Sequence, residues 1–379
     1  MQNRCLGASR SRLPGLAPIL LMLLTLLAAW TTAPPAERRR SAEAERAESA
    51  QSQDTRELPR EAASLARRAR QAGLRVLPLR WPGGAVAACS ITFDDGTLDQ
   101  YVVAAPLLDE RNMRATFFVV TAPRSSGLWW DAGTPRRLFS WQKARSLAAR
   151  GHEIASHTAD HIDLSRRPEA AKLQLARGLD DLRRELPGSD GFSFSWPYWR
   201  TSPAARGIMA RYHGAARTGR PGTHLAAAGD PEDWLGVGSY GILSRTTPDD
   251  LEQLMDAYQE RGGWLVANFH GFSAPGIPPD YRGWQPYPAA SFAAFLDGLQ
   301  GRGFWCAPFG EVVRHIQQRE VIDVAAAVTD EGVLISCEGG CGERPVELEM
   351  VIQDQMGDRF RVLLPEAASR HLIRWEDLE

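Results

Sequence analysis

Short apolar runs alternate with amphipathic segments between residues 77 and 320. The runs predict strands at 85–93, 115–120, 152–156, 192–196, 214–218, 263–269 and 304–307. Helical periodicity predicts helices at 99–110, 141–150, 168–186, 202–212, 248–261 and 291–300. Such alternation is typical of a parallel sheet with helices outside it. About seven repeats in roughly 240 residues favour an α/β barrel that is closed or nearly closed.

Segments of different amino-acid composition flank this region. Residues 37–76 contain mainly Ala, Glu, Arg, Ser and Gln, and we expect a charged, low-complexity linker there because they cannot bury a core. Residues 321–379 hold five short strand-like runs, which predict a small β-rich module. About 60 residues are marginally stable alone, so the module should dock on the barrel at 77–320.

Residues 1–36 have the features of a targeting segment. Residues 13–36 carry no charge, and Arg4, Arg10 and Arg12 precede them. The dense apolar core at 19–29 is short for a membrane-spanning helix but fits a signal peptide. A cleaved signal peptide and an uncleaved signal anchor both remain open. Either predicts export to the periplasm, cell envelope or exterior, and the anchor would tether the chain to the membrane.

Charge and cysteine content narrow the class of protein. The net charge is −2, which does not indicate nucleic acid as a partner. Cys337 and Cys341 flank a Glu-Gly-Gly tip and could close a small disulfide loop. Cys89 and Cys306 lie on apolar runs and are expected as buried thiols. A disulfide between them is the alternative, if the first and last strands are neighbours.

The candidate chemistry follows the predicted strands. Asp94 and Asp95 end the first strand, and His157 and His161 follow the third. The C-terminal strand ends of a barrel converge on one face, so these side chains should meet. Asp95, His157 and His161 would hold a divalent metal, most simply Zn²⁺, with a position left open. We expect the two histidines, four apart, to point the same way on one helical turn.

The segments TFDDG at 92–96 and HTADH at 157–161 resemble, in this order and separation, the motifs of the polysaccharide deacetylase family. The resemblance extends from about Trp81 to Glu320. It implies a distorted seven-stranded (β/α) barrel with a small C-terminal β domain added. It also implies that Asp94 is the catalytic base and that Asp95, His157 and His161 bind the metal, most often Zn²⁺, with Co²⁺, Ni²⁺ or Mn²⁺ as alternatives.

Three further segments resemble family motifs. In FSWPY at 194–198, Pro197 would contact the substrate and the Tyr198 backbone N–H would donate to the developing oxyanion. The family often has an arginine, paired with the base, where Ser195 stands, and Arg200 is a candidate replacement. In DPEDW at 230–234, Asp233 would orient a histidine and Trp234 would form a wall of the acetyl pocket.

His270 ends a predicted strand and resembles the family's general acid. The family usually has leucine where Asn268 stands, so the pocket should be more polar here. The loop at 274–287 carries Tyr281, Trp284 and Tyr287, and Trp284 in particular would stack on a sugar ring. Packing within the loop is the alternative reading.

These observations predict a secreted or membrane-tethered, metal-dependent hydrolase that removes acetyl groups from an N-acetylated polysaccharide by metal-activated water. Two alternatives stay open. One is an O-acetyl esterase acting on an acetylated polysaccharide with the same site. The other is a non-catalytic glycan-binding protein in which the C-terminal module is the working part.

Overall fold

The computed structural model of the chain describes residues 60–131, 133–219, 233–338, 345–364 and 370–378. The helices are α1 (Arg60–Ala72), α2 (Ala105–Asp109), α3 (Trp141–Ala149), α4 (Ala171–Glu185), α5 (Pro203–Met209), α6 (Pro248–Arg261), α7 (Ala289–Gly301) and α8 (Phe309–Val321). The strands are β1 (Leu74–Pro78), β2 (Ala87–Phe93), β3 (Thr116–Val119), β4 (Leu128–Asp131), β5 (Thr134–Arg137), β6 (Glu153–Ser156), β7 (Ser193–Ser195), β8 (Ala215–Arg217), β9 (Tyr240–Gly241), β10 (Trp264–Phe269), β11 (Phe272–Ser273), β12 (Tyr287–Pro288), β13 (Phe304–Cys306), β14 (Asp323–Val328), β15 (Gly332–Glu338), β16 (Val346–Ile352), β17 (Arg359–Leu364) and β18 (Arg370–Arg374).

A parallel sheet forms the larger part of the molecule, with strand order β8-β7-β6-β3-β2-β10-β9 and β13 also paired to β2. Every residue of β2 is buried, as expected for a strand covered on both faces. The segment that contains β9 touches both ends of the sheet, because Val237 pairs with Arg217 on β8 and Tyr240 pairs with Ala267 on β10. The sheet is therefore curled into a distorted barrel, which confirms the predicted α/β barrel.

Phenylalanines fix the level of the strand ends. Phe93 is the register partner of both Phe117 on β3 and Phe269 on β10. The rings of Phe93 and Phe117 stack at 4.7 Å, and Phe292 of α7 packs on Phe269 at 5.0 Å. Phe93 and Phe269 directly precede Asp94 and His270 in the chain. Core packing thus places these two polar residues at the same end of the barrel.

A β module lies beyond α8 and carries its own buried residues. It consists of two three-stranded antiparallel sheets, β1-β16-β17 and β14-β15-β18. Alternate residues of β16 are buried, as in a strand with one face on a core. The predicted strands of this module are therefore present, and they are joined by β1 from the other end of the chain.

The expectation of a solvated linker up to residue 76 is wrong for residues 60–76. These residues form α1 and most of β1, and β1 pairs with β16 from Leu74↔Ile352 to Pro78↔Leu348. The buried face of α1 consists of small residues such as Ala66 and Ala69, and Arg68 bonds to Asp354 and Asp358 at 2.6 Å each. Because the buried residues of α1 are alanines, the segment lacks the large apolar side chains that would predict a buried helix, and the sequence therefore reads as a linker.

Other expectations fall outside the described residues, namely the targeting segment at 1–36, the linker at 37–59 and Cys341. In the described part of the chain, no helix is long and apolar enough to cross a bilayer. Cys89 and Cys306 are both free thiols, although they are register partners on β2 and β13. Cys89 is therefore a buried thiol as expected, whereas Cys306 is only partly buried, and the two do not form the alternative disulfide.

The pairing of β1 with the module leads to a prediction. Val76 is buried and opposite Met350, so Val76→Asp should lower the free energy of unfolding by about 3 kcal/mol because an unpaired carboxylate would be buried. The matched control is Arg75→Asp, which adds a carboxylate at the exposed neighbouring position of the same strand. Denaturant unfolding checks both variants, and equal stabilities would show that β1 is not part of the module's core.

Candidate active site

A tight turn after β2 carries the two adjacent carboxylates. The Asp94 N–H donates to the Phe269 carbonyl at 3.0 Å, and the Gly96 N–H donates to the Asp94 carbonyl at 2.9 Å. Asp95 has a φ of +74° and Gly96 a φ of +77°, both in the left-handed region. The turn separates the two side chains, so that Asp94 reaches Arg217 while Asp95 faces His157 and His161.

The buried Arg124 side chain stabilises this turn by hydrogen bonds to backbone carbonyls. Arg124 donates to the carbonyls of Asp95 at 2.9 Å, Gly96 at 3.3 Å and Phe139 at 2.6 Å. A Cβ at position 96 would lie only 2.2 Å from the Arg124 Nη2 atom. Glycine is therefore required at position 96 by the close approach of Arg124 as well as by its φ angle.

Asp95, His157 and His161 offer three ligand atoms within 4.8 Å of one another. The Asp95 Oδ1 atom is 3.7 Å from the His157 Nε2 atom and 3.5 Å from the His161 Nε2 atom. The His157 Nδ1 atom lies 2.8 Å from the Ser195 carbonyl, so it carries the hydrogen and leaves Nε2 as the ligand atom. Burial lowers the pKa of His157 to about 4, which keeps the imidazole neutral. One carboxylate and two neutral imidazoles fit a divalent metal with an open position.

The expectation that both histidines lie on one helical turn is wrong. Residues 157–163 form a loop after β6, and Thr158 and His161 have φ angles of +68° and +56°. These angles are incompatible with a right-handed helix. The Thr158 hydroxyl accepts from the His161 N–H at 2.9 Å and folds the loop back, so the two rings still approach to 4.9 Å.

Asp94 is surrounded by hydrogen-bond donors inside the barrel. The Arg217 guanidinium contacts both of its oxygens, the Ser195 hydroxyl donates at 3.1 Å and the Asn268 amide donates at 3.3 Å. Burial alone would raise the pKa of Asp94, but the charge of Arg217, with smaller contributions from His157 and His270, holds that pKa below its usual range. Asp94 is therefore ionised and able to accept a proton from a neighbouring group during a reaction.

Arg200 does not replace the family's arginine. Its guanidinium lies 3.2 Å from Asp163 at the outer rim, whereas Arg217 pairs with Asp94. The reason is the strand register, because Ser195 on β7 is directly opposite Arg217 on β8. The charge is supplied from the adjacent strand at the same level. The strand-end rule that singled out Asp94 and His270 would also have found Arg217, which ends β8 and is next to the last residue of the predicted 214–218 strand.

His270 lies on the other side of Asp94, with its Nε2 atom 3.6 Å from the Asp94 Oδ2 atom. Burial lowers the pKa of His270 to about 4, against the opposing charge of Asp94. Trp199 and Trp284 contact the His270 ring edge-on at 5.6 and 5.0 Å. Trp199 was not predicted, and together with Trp284 it makes one side of the site aromatic.

Strained backbone is concentrated around the site. Seven described non-glycine residues have positive φ angles, and five of them are site residues: Asp95, Thr158, His161, Tyr198 and Trp199. Left-handed conformations of non-glycine residues cost about 1–3 kcal/mol each and persist where the surroundings enforce them. Tyr198 follows Pro197 in a short 3₁₀ turn after β7, and its ring packs on His161 at 4.6 Å.

These side chains surround a cavity of about 490 Å³ at the C-terminal ends of the strands. Its lining residues are Asp94, Asp95, Thr134, Arg136, His157, His161, Tyr198, Trp199, Arg200, His270 and Trp284. As expected for residues that follow strand ends, the structure brings together seven predicted residues: Asp94, Asp95, His157, His161, Tyr198, His270 and Trp284. Pro197 is buried beneath the cavity in the turn that presents Tyr198, and does not line it.

The structure does not place Asp233 or Trp234 in the cavity. Asp233 is exposed and paired with Arg206 of α5, and Trp234 packs against the buried clusters that contain Trp81 and Phe309. The physical reason is the direction of the chain after residue 233. Residues 234–237 run parallel to β8, starting near the N-terminal end of that strand, and Val237 is at the level of Arg217. The segment begins a strand and therefore lies at the opposite end of the barrel.

Asp99 fixes the loop that carries Trp284. Its buried carboxylate accepts from the N–H groups of Phe272 at 2.5 Å and Gly283 at 2.9 Å, and from the Thr97 hydroxyl at 2.6 Å. A Cβ at position 283 would lie 2.5 Å from the His270 carbonyl, so glycine allows the loop to lie against His270. Of the three aromatic residues expected to stack on sugars, only Trp284 lines the cavity, and Tyr287 is buried in the core.

Comparison with known proteins agrees with this geometry. Residues 79–213 match the sequence model of the family described as polysaccharide deacetylase. These residues belong to the polysaccharide deacetylase family. The match contains both the 92–96 and 157–161 segments, so the resemblance inferred from the motifs is confirmed.

Individual relatives are distant. The chitin deacetylase of Colletotrichum lindemuthianum is 28% identical over 151 residues, which cover 39% of this chain and 55% of that protein. A gellan lyase from a Bacillus species is 23% identical over 282 residues, 66% of this chain and 10% of that protein. Among solved structures, the de-N-acetylase from Aggregatibacter actinomycetemcomitans has a TM-score of 0.39 and 18% identity, over 50% of this chain and 80% of that one. The chain spans about half or less of the length of these two curated relatives.

The buried ion pair gives a first prediction for the candidate active site. Arg217→Met leaves the Asp94 carboxylate buried without its guanidinium, so the free energy of unfolding at neutral pH should fall by about 3–5 kcal/mol. Denaturant unfolding measures the change. The double variant Ser195→Arg with Arg217→Ser moves the guanidinium to the register partner and should recover part of the loss. A single variant as stable as the native chain would contradict the assignment.

Asp99 gives a second prediction. Burial raises the pKa of Asp99 to about 6, above its ordinary value near 4, so the folded state binds this proton more tightly. Its contribution to stability is therefore complete below about pH 4 and is lost as the pH rises through 6, a change of about 3 kcal/mol. The unfolding free energy of the native chain, measured against that of Asp99→Asn, should fall by this amount between these pH values. Parallel pH curves for the two proteins would rule it out.

Proposed function

We propose that the chain is a metal-dependent deacetylase that hydrolyses N-acetyl groups on a polysaccharide, releasing acetate and a free amino sugar. The observation that carries this proposal is the position of Asp94. It is an ionised carboxylate between Arg217 and His270, in the same cavity as the Asp95, His157 and His161 set. A proton acceptor, a metal-ligand set and a second titratable group in one cavity are what amide hydrolysis requires.

Asp95, His157 and His161 would hold the metal, which we propose is Zn²⁺. When bound, such an ion polarises a carbonyl and makes water more acidic. The remaining steps belong to side chains of this chain. Asp94 accepts a proton as water attacks the acetyl carbonyl, and the Tyr198 N–H donates a hydrogen bond to the carbonyl oxygen as charge develops there.

The leaving amine needs a proton, and His270 is positioned to deliver it. Because the resting imidazole is neutral, the proton must arrive during the reaction. The His270 Nε2 atom lies 3.6 Å from Asp94, so the proton taken from water can pass from Asp94 through His270 to the nitrogen as the C–N bond breaks. Water supplies one proton to the amine nitrogen and its hydroxyl to the acetyl carbon, and the acetic acid so formed transfers its remaining proton to the free amine at neutral pH, which balances the reaction. We place this reaction outside the cytoplasm, in line with residues 1–36.

The test is acetate release from N-acetylglucosamine polymers with Zn²⁺ or Co²⁺ added. Chelator should abolish release, and Asp94→Asn should lower kcat by about 10²–10⁴-fold because the proton acceptor is lost. Asp94→Asn should still bind Co²⁺, as measured by titration calorimetry, whereas His157→Gln should lose at least about 100-fold in affinity. This separates loss of the base from loss of the fold.

Two outcomes would overturn the proposal. Acetate release from O-acetylated xylan but from no amide substrate would identify an O-acetyl esterase. Failure to bind Co²⁺, together with no release from any polymer, would leave a non-catalytic glycan-binding protein.

A further inference from the structure

A second groove adjoins the catalytic cavity and has a distinct charge. It has a volume of about 410 Å³ and is lined by His161, Ile162, Asp163, Arg166, Arg167, Tyr198 and Arg200. His161, Tyr198 and Arg200 also line the catalytic cavity. The two spaces therefore share three lining residues, which places the arginine groove next to the cavity.

The arginine groove is cationic. It contains the guanidiniums of Arg166, Arg167 and Arg200 and one carboxylate, that of Asp163. Asp163 lies between two of them, 3.2 Å from Arg200 and 3.6 Å from Arg166, and among the described residues no carboxylate pairs with Arg167. The chain as a whole has 44 basic and 46 acidic residues, so this excess is a local concentration.

The carboxylates of the catalytic cavity do not offset the positive charge of the arginine groove. Asp94 is neutralised by Arg217, and Asp95 belongs to the metal-ligand set. Arg136 of β5 also lines the cavity and donates to the Arg282 carbonyl at 2.7 Å. A glycan bound along both spaces would therefore meet guanidinium groups in each of them.

The geometry suits a carboxylate ligand. The side chains of Arg166 and Arg200 are 74% and 53% exposed, so their donors are accessible from the groove. A guanidinium binds a carboxylate through two parallel hydrogen bonds and has no acceptor to offer a neutral hydroxyl. Stacking of a neutral sugar is already provided by Trp199 and Trp284, so the arginines add selectivity for charge.

We propose that the substrate is an acidic glycan, in which the N-acetylated sugar is followed by a unit that carries a carboxylate and occupies the arginine groove. The identity of the reacting group rests on the proposed function, whereas the carboxylate site rests on the groove alone. Selectivity for an acidic polymer would direct the activity away from neutral N-acetylated glycans.

The test compares one oligosaccharide in two forms. The probes are a hyaluronan oligosaccharide, which alternates N-acetylglucosamine with glucuronate, and the same oligosaccharide with its carboxylates reduced to alcohols. Binding to the Zn²⁺-loaded full chain is measured by calorimetry. The carboxylated form should bind about ten-fold more tightly because two or three exposed ion pairs each add a modest attraction, and added salt should reduce the ratio.

Matched variants locate the effect. Arg166→Gln with Arg167→Gln should bring the affinity ratio close to one. Arg183→Gln with Arg184→Gln removes an adjacent, exposed arginine pair from α4 and should leave the ratio unchanged. Equal affinities for the two probes, equal effects of the two double variants, or no binding of either probe would each overturn the inference.

Acetate release from a neutral N-acetylglucosamine oligomer separates this inference from the proposed function. Release from the neutral oligomer without any preference for the carboxylated probe would overturn the carboxylate site and leave the deacetylase intact. Binding that depends on Arg166 and Arg167, without acetate release from any amide substrate, would support the carboxylate site and overturn the deacetylase.

Discussion

The ion pair between Arg217 and Asp94 is the interaction on which the fold and the site both depend. Taking two charges out of water costs several kcal/mol for each ion, which is recovered only with good geometry and further hydrogen bonds. Ser195 and Asn268 supply those bonds. Because β8 and β2 are four steps apart in the sheet, the pair spans the barrel interior and can form only when the sheet is curled.

Two neighbouring carboxylates acquire different roles from their surroundings. A left-handed turn, held by Arg124 and permitted by Gly96, sends Asp94 into the donor cluster and Asp95 to the histidines. Like charges so close would normally raise each other's pKa. The Arg217 guanidinium beside Asp94 relieves this conflict, and a cation held by Asp95, His157 and His161 would relieve it further.

Much of this arrangement is predictable from the sequence. Apolar runs predicted the strands of the barrel, and residues at their ends predicted Asp94, Asp95, His157 and His270 as neighbours. Arg217 was not predicted, because the family motif indicates an arginine at position 195, whereas here its register partner on β8 carries the charge. Asp233 and Trp234 were misplaced because a sequence does not show whether a segment ends one strand or begins the next. The loop between His157 and His161 was taken as helix because spacing alone cannot reveal a positive φ angle.

The pairing of β1 with β16 has a consequence for the order of folding. The strand at 74–78 precedes the barrel and its partner at 346–352 follows it, so this contact closes a loop that contains the whole barrel. Contacts so distant in sequence form late, because loop closure costs more entropy than local pairing. During synthesis from the N-terminus, β1 must wait until nearly the whole chain has emerged. The barrel can therefore be complete while β1 is still unpaired, and assembly of the β module is the final step.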